Sequence, residues 1–545
     1  YWSWIKLMAI IQQMLLVGNV EAKIFTWAEN YDIALYGGRV DVDDDENIYF
    51  ASNSADNAFV SKLDKAGNLL WSRAINDIRD SNQWTGVAVN NSNGDVYCCG
   101  ITYGDIPQYW SLQYQFLLAK YNSSGVRQWA KIIGDVATYV GNWNSNYSEQ
   151  ENLTGRIASC DNNGIYFSMF KEHACGAGFI DIYQGAFVRI DANGNKQLET
   201  QISHYTSVPD GGVPTHCSYT QRTDRTTTWN DSVKSRTGNN YYLCGVDILP
   251  SRHFESTDYT DRRCIIAKCN SSGSLSWLRK FRFTTGNPAT GSGSRGSYSQ
   301  MAIDSNDNLY VIGGHIQQGH SPQTRNSCIH KINSSGSLQW IRRYNSTTTG
   351  LSESDYISGI AIDPDDDGAI FVVGGIKQYG TYAWGTDQSV VHVTRLDSSG
   401  NKQWDILISG FNFTGNQIII KNKAIYLGGY SKAWGTNQLG GSTHNSTLRA
   451  DGMLIKIPTN GNCTGSFSVR NGLNNGNYTI HILNLGNSLN MAWSTPSYAY
   501  YNSSISLNTH AGNTAYGNAT SYDGNAFGDD NANINTSTTT MGHYS

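Results

Sequence analysis

Residues able to do chemistry are thinly placed along this chain. The clearest acidic cluster is Asp363, Asp365 and Asp367 at alternate positions, followed by Gly368. That is how a calcium loop opens, with carboxylate oxygens at every second residue converging on one cation. The acidic residue that would complete the shell is missing, because Ile370, Phe371, Val372 and Val373 follow directly. Asp41, Asp43, Asp44 and Asp45 form a similar run. Asp and Asn are also ordinary turn residues, so both runs are read as turns and no metal is expected. Twelve His are scattered without an HExxH pattern, and neither GxSxG nor GxxxxGK[ST] occurs. No nucleophile elbow, zinc helix or phosphate cradle is therefore offered, and no catalytic residue or cofactor is expected.

Aromatic and amide side chains are the richer signal. One stretch carries Tyr103, Tyr109 and Trp110, and a second carries Tyr382, Trp384, Asp387 and Gln388. A third carries Tyr430, Trp434, Asn437 and Gln438, so that AWGTDQ (383–388) and AWGTNQ (433–438) are near copies. An indole face beside amides suits a sugar ring, whose apolar side stacks while its hydroxyls hydrogen-bond. The same residues would also serve to pack long loops against one another. Both readings stand at this level, and these eleven residues are the candidate ligand-binding set.

The elements that would position them follow from composition and repetition. At 545 residues the chain exceeds the roughly 250–300 at which a single core stops growing. Charged residues make up 15%, against about 25% in an average domain, and 44 acidic against 39 basic side chains leave −5. No basic excess is available for a phosphate backbone, so nucleic acid is not an expected partner. Few charges, 33 Tyr, 15 Trp and 56 Gly favour many short strands joined by tight turns. Ten Cys in such a length do not form a disulfide framework. Cys99 and Cys244 are aligned with Gly374 and Gly313 of sister segments, and Cys264 with Leu117, which reads as buried thiols.

A tag of Asp or Asn, two residues, Gly, three residues and Trp recurs, ending at Trp71, Trp129, Trp277, Trp340 and Trp404, with Leu198 in one copy. Seven tag glycines stand between 58 (Gly67 to Gly125) and 79 (Gly194 to Gly273) residues apart. Upstream of each tag lies a strand–turn–strand pattern such as MAIDSNDNLYVIGG (301–314). Four antiparallel strands repeated seven times predict an all-β, seven-bladed β-propeller over residues 1–465. One first strand, between 230 and 240, is hard to place. The last tag, at Gly461, lacks a Trp. A strand from the N-terminus is expected to complete that blade, residues 1–9 with Trp4 first and KIFTWAEN with Trp27 as the alternative. The apolar run 5–20 is shorter than the ~20 residues a membrane helix needs, so no membrane insertion is expected; a cleaved leader ending near Ala22 is the alternative. Residues 466–545 form a polar, low-complexity tail with no Lys or Arg after Arg470. Too few apolar residues remain there to offset ordering entropy, so it is read as a separate assembly or docking segment.

The tags YNSSGVRQW and INSSGSLQW, with AIDSNDNLYVIGG, resemble SBBP-type seven-bladed propeller repeats. Such repeats occur in bacterial exported proteins and in structural proteins of marine tailed bacteriophages. The opening YW-x-x-I strand and the polar tail resemble the phage members. The resemblance implies a virion protein, a tail fibre or tail appendage assembled in the host cytoplasm. Its expected partners are other virion proteins or copies of itself through the tail, and a host-surface glycan or receptor. An exported bacterial adhesin on the cell surface, and an enzyme with carboxylates in a central channel, are the alternatives.

Overall fold

The computed structural model describes residues 22–27, 39–54, 57–65, 67, 69–77, 81–105, 112–133, 156–173, 182–203, 226–249, 261–284, 295–317, 324–346, 356–366, 368–377, 389–409, 412–432, 450–461, 465–470, 477–486, 491–494, 499–504, 508–511, 520–521, 527–531 and 536–541. Every regular element among them is a strand. No helix there is long and apolar enough to cross a membrane. They build seven four-stranded antiparallel blades.

Blade 1 runs Arg39–Val42, Ile48–Ser54, Asn57–Leu63 and Leu69–Asp77; blade 2 runs Ser81–Val89, Val96–Asp105, Leu112–Tyr121 and Arg127–Ile133. Blade 3 uses Arg156–Asp161, Gly164–His173, Ile182–Ile190 and Lys196–Ser203. Blade 4 uses Thr226–Lys234, Asn240–Leu249, Asp261–Asn270 and Leu275–Thr284, so its first strand begins earlier than the window read from sequence. Blade 5 comprises Arg295–Ile303, Leu309–Gln317, Thr324–Ile332 and Leu338–Ser346; blade 6 comprises Tyr356–Ile362, Ile370–Lys377, Ser389–Leu396 and Lys402–Ser409. Blade 7 takes Asn412–Lys421, Ala424–Lys432 and Ala450–Pro458, and its fourth strand is Ala22–Trp27 from the other end of the chain. The first strands of all seven neighbouring blade pairs touch, which sets them innermost around the axis.

Seven apolar clusters hold the ring, and each spans two neighbouring blades. Blades 1 and 2, for example, share Tyr49, Val60, Trp84, Val96, Leu117 and Tyr121. Blades 6 and 7 share Phe371, Val393, Ile406, Ile425 and Ile455. Val40, Phe50 and Leu63 of blade 1 pack on Ala424, Tyr426 and Leu454 of blade 7, which closes the circle. A lone blade would leave both faces wet; stacking on two neighbours buries them.

Closure therefore uses the alternative strand. Ile24 pairs with Ile455 and Thr26 with Met453, while residues 1–9 and Trp4 lie outside the described residues. The sheets also do not end at 465. Blade 6 is extended by Asn477–Gly486, with Gly465–Arg470 beyond it. Met491–Ser494 then pairs with the fourth strand of blade 5, Ala499–Ser504 with blade 4, Asn508–Ala511 with blade 3, and Thr520–Ser521 with blade 2. Phe527–Asn531 joins blade 1, and Thr536–Met541 pairs with the closing strand Ala22–Trp27. The segment expected to stand apart thus runs as a belt around the outer edge, visiting blades 6, 5, 4, 3, 2, 1 and 7. The physical reason is that a fourth strand presents a row of unpaired N–H and C=O groups. A polar strand can satisfy them by backbone pairing without an apolar core of its own.

Register also corrects the alignment of the cysteines. Gly100 and Gly245, not Cys99 and Cys244, share the place of Gly313 and Gly374 opposite the first-strand bulge. Cys99 and Cys244 align with the buried Ile312 and Val373, and Cys264 with Phe116. All three thiols are buried, as expected, and burial raises Cys264 well above the usual thiol range.

Candidate functional site

The two rims of the ring differ in kind. On one lie the short turns between first and second strands and between third and fourth strands. Each tag turn closes with its glycine at φ between 75° and 84°, in the left-handed region. The tag's Gly and Trp do not meet within one unit. A β-carbon on Gly125 of blade 2 would lie 2.6 Å from Trp71 Cδ2 of blade 1. Trp129, Trp277, Trp340 and Trp404 cover the tag glycine of the following blade in the same way, and Thr200 does so where Leu198 replaces Trp. The indole N–H of Trp71 donates to Ser123 O (3.1 Å), that of Trp129 to Ala192 O (2.9 Å), and that of Trp340 to Ser398 O (3.2 Å).

A second feature of this rim was not recognised from sequence. One cation in each third strand lies over an aromatic ring of the second: Lys62 on Tyr49, Lys120 on Tyr97, Arg189 on Tyr166, Lys268 on Tyr242, Lys331 on Tyr310, Arg395 on Phe371 and Lys456 on Tyr426, at 5.1–5.7 Å. Several reach on to the next blade, Lys120 to Ala192 O and Lys456 to Glu46. The signal was present, since a Lys or Arg stands two residues before the turn Asn or Asp of six tags and before Pro458 of the seventh. The acidic runs belong to this rim too. Asp43 accepts hydrogen bonds from Asp45 N, Asn47 N, Asn47 Nδ2 and Tyr49 Oη; Asp304 repeats the set with Asn306, Asn308 and Tyr310. Both carboxylates are taken up by the turn, and Asp363 likewise accepts from Asp365 N. This rim is structural.

The channel wall has its own repeat. Apart from blade 3, whose bulge between Ile157 and Ser159 lies two residues nearer the turn, the first strands of blades 2 to 7 carry a bulge at one level, for instance between Trp84 and Gly86 and between Trp229 and Asp231. Thr85, Ser299 and Ser358 fill it and donate back to Cys99 O, Ile312 O and Val373 O. The bulge pushes the preceding carbonyl against the second strand, where a β-carbon on Gly100 would meet Gln83 O at 1.8 Å. Acidic groups here stitch blades together. Asp41 accepts from Val89 N and Asp231 from Met301 N, each across a blade boundary. Burial pushes the Asp41 carboxyl up to about 6, against the pull of the backbone N–H groups of Val89 and Val42. Away from the channel, on the fourth strand of blade 6, Asp405 accepts from Thr394 and Lys402 of its own blade and lies 3.0 Å from His392 Nε2. Although buried, it is held below its ordinary range by His392 and these other partners.

The opposite rim carries the long connections. Strand directions send the second-to-third and fourth-to-first links out there. Tyr103 stands near the end of its strand, in register with Ser81 and Tyr114. Tyr430 of blade 7 lies two places nearer the bulge than Tyr103 does in blade 2, between Thr414 and Gly452. Tyr109, Trp110, Tyr382, Trp384, Asp387, Gln388, Trp434, Asn437 and Gln438 lie outside the described residues.

No family model matches the sequence, and no curated protein matches it. Among solved structures, the chain is similar to the polysaccharide lyase Uly1, at 9% identity and a TM-score of 0.43, covering 79% of this chain and 92% of that one. It is also similar to the extracellular region of Plexin A4 (10%, TM-score 0.37, 77% and 50%). Drosophila Plexin A in complex with Semaphorin 1b follows (8%, TM-score 0.35, 79% and 88%). At these scores the likenesses carry no functional argument.

Proposed function

We propose that this chain is a structural virion protein of a tailed bacteriophage, a tail fibre or tail appendage that presents its loop rim to the host surface. The observation that carries the reading is the asymmetry of the ring. One rim repeats the same clasp from blade to blade, while every connection of unlike length leaves the other. A rigid scaffold with all its variation on one rim suits recognition of a surface. The tag resemblance to marine phage repeats supports the setting, and the paired Trp, Asp, Asn and Gln of 383–388 and 433–438 support a glycan as the ligand. Asp41 and Asp231 of the described channel wall accept backbone hydrogen bonds from the next blade, which favours a binding role over a catalytic one.

Trp384→Ala with Trp434→Ala tests the reading. Aromatic stacking is worth roughly 1–3 kcal/mol per ring lost, by analogy with stacked bases, so binding to host cells should weaken at least tenfold with the melting temperature unchanged. Undiminished binding rejects these loops. Antibody labelling of purified particles then separates the phage reading from an exported bacterial adhesin, which would place the label on the cell surface instead.

A further inference from the structure

The belt makes its contacts through backbone pairing to the fourth strands. Such an edge has the same chemistry in every copy of the chain and cannot tell its own C-terminal segment from a neighbour's. Nor is the grip uniform around the ring. Ala499–Ser504 pairs over six residues with blade 4, from Thr284 to Arg279, whereas among the described residues blade 2 is held by two pairs, Thr520↔Ile132 and Ser521↔Lys131. That two-residue hold divides the belt into a proximal part on blades 6, 5, 4 and 3 and a distal part, 520–541, on blades 2, 1 and 7. The distal part ends on Ala22–Trp27, the strand that closes the ring, with Thr26 opposite Ser537.

We propose that the distal belt, 520–541, is exchanged between copies, so that the C-terminal strands of one copy complete blades 2, 1 and 7 of a second. The inference deepens the assembly role suggested for this segment, and it names the partner as another copy of this chain. Exchange of an identical element keeps every native pairing while joining two chains, which makes it a low-cost route to an oligomer. The short strands let the segment leave one blade at a time. The acceptor is specific because the distal part must find both the outer edge of blade 1, with Phe527–Asn531, and the closing strand, with Thr536–Met541.

The register supplies the test. One full-length preparation carries Thr26→Cys and a second, differently tagged, carries Ser537→Cys; a third carries both changes in one chain. The two single variants are mixed at high concentration and oxidised. A covalent dimer linking the two tags, mapped by mass spectrometry to positions 26 and 537 and growing with concentration, is the expected result. If the chain with both changes closes on itself while the mixture gives no mixed link, the belt stays on its own ring and the proposal is overturned. If neither forms a link, the pairing itself is absent in solution and the proposal fails with it. These outcomes do not depend on host binding, so failure here leaves the loop-rim reading standing.

Discussion

At the residue scale, the tag is a device for joining blades rather than a motif complete within one. Its glycine gives the turn a left-handed residue, which costs other residues roughly 1–2 kcal/mol, and also makes room for the indole of the preceding blade. Gly125→Ala should therefore destabilise twice over, since its β-carbon would sit 2.6 Å from Trp71 at φ +76°. A loss of about 2 kcal/mol or more in urea denaturation is expected, while Gly238→Ala, whose β-carbon would find nothing nearer than 3.5 Å, should change little. Equal effects at the two sites would discount the Gly–Trp contact. Leu70 and Val126 break the tag pattern in another way. They are 53% and 54% exposed, at positions where the other tags carry Gln, Ser or Thr and Asn or Ser. Nothing in the structure explains them.

At the element scale, the N-terminal strand decides whether the ring is closed. Ala22–Trp27 lies between Ala450–Pro458 and Thr536–Met541, so both ends of the chain meet in one blade. Removing residues 1–27 should expose the edge of blade 7 and lower the melting temperature sharply. Removing 1–9 alone should leave it nearly unchanged. A large loss already with the shorter deletion would return the closing role to the segment around Trp4. Strand order explains why this element matters more than its six residues suggest. It is the only fourth strand not connected to its blade by a tight turn, so closing it carries the loop entropy of the whole propeller.

At the scale of the whole molecule, carboxylates at the blade boundaries and within the blades set how stability responds to pH. Asp41 has a folded-state pKa of about 6 against an ordinary 3.8. The folded state then holds a proton that the unfolded state has lost, and stability falls as pH rises through the window from about 4 to 6. Asp307, Asp397 and Asp405 are lowered and act oppositely: burial opposes their charge, but hydrogen bonds and ion pairs outweigh it. Their contribution is present above the ordinary value and lost as pH falls below it. Asp41→Asn keeps an oxygen to accept from Val89 N but removes the titration. Its stability should stay flat between pH 4 and 6, where the natural chain declines; parallel curves from chemical denaturation at each pH would exclude Asp41 as the source.

What the sequence determined by itself is what lies close along the chain. Strand, turn, strand and tag recur because alternation and turn residues act over a few positions, and seven repeats of a unit that cannot bury its own faces leave a closed ring as the economical solution. Buried thiols at Cys99, Cys244 and Cys264 were legible for the same reason, although their slots were one residue off. The bulge in the first strands of blades 2 to 7 inserts a residue without any mark in composition. The tertiary structure alone decided which glycine faces which tryptophan, because those partners belong to neighbouring units some sixty residues apart. It also decided that Ala22–Trp27 closes blade 7 and that the polar tail runs along the outer edges. Both depend on unpaired backbone at the rim of a sheet, and backbone groups are the same in every residue, so no side-chain pattern records where such an edge will find its strand.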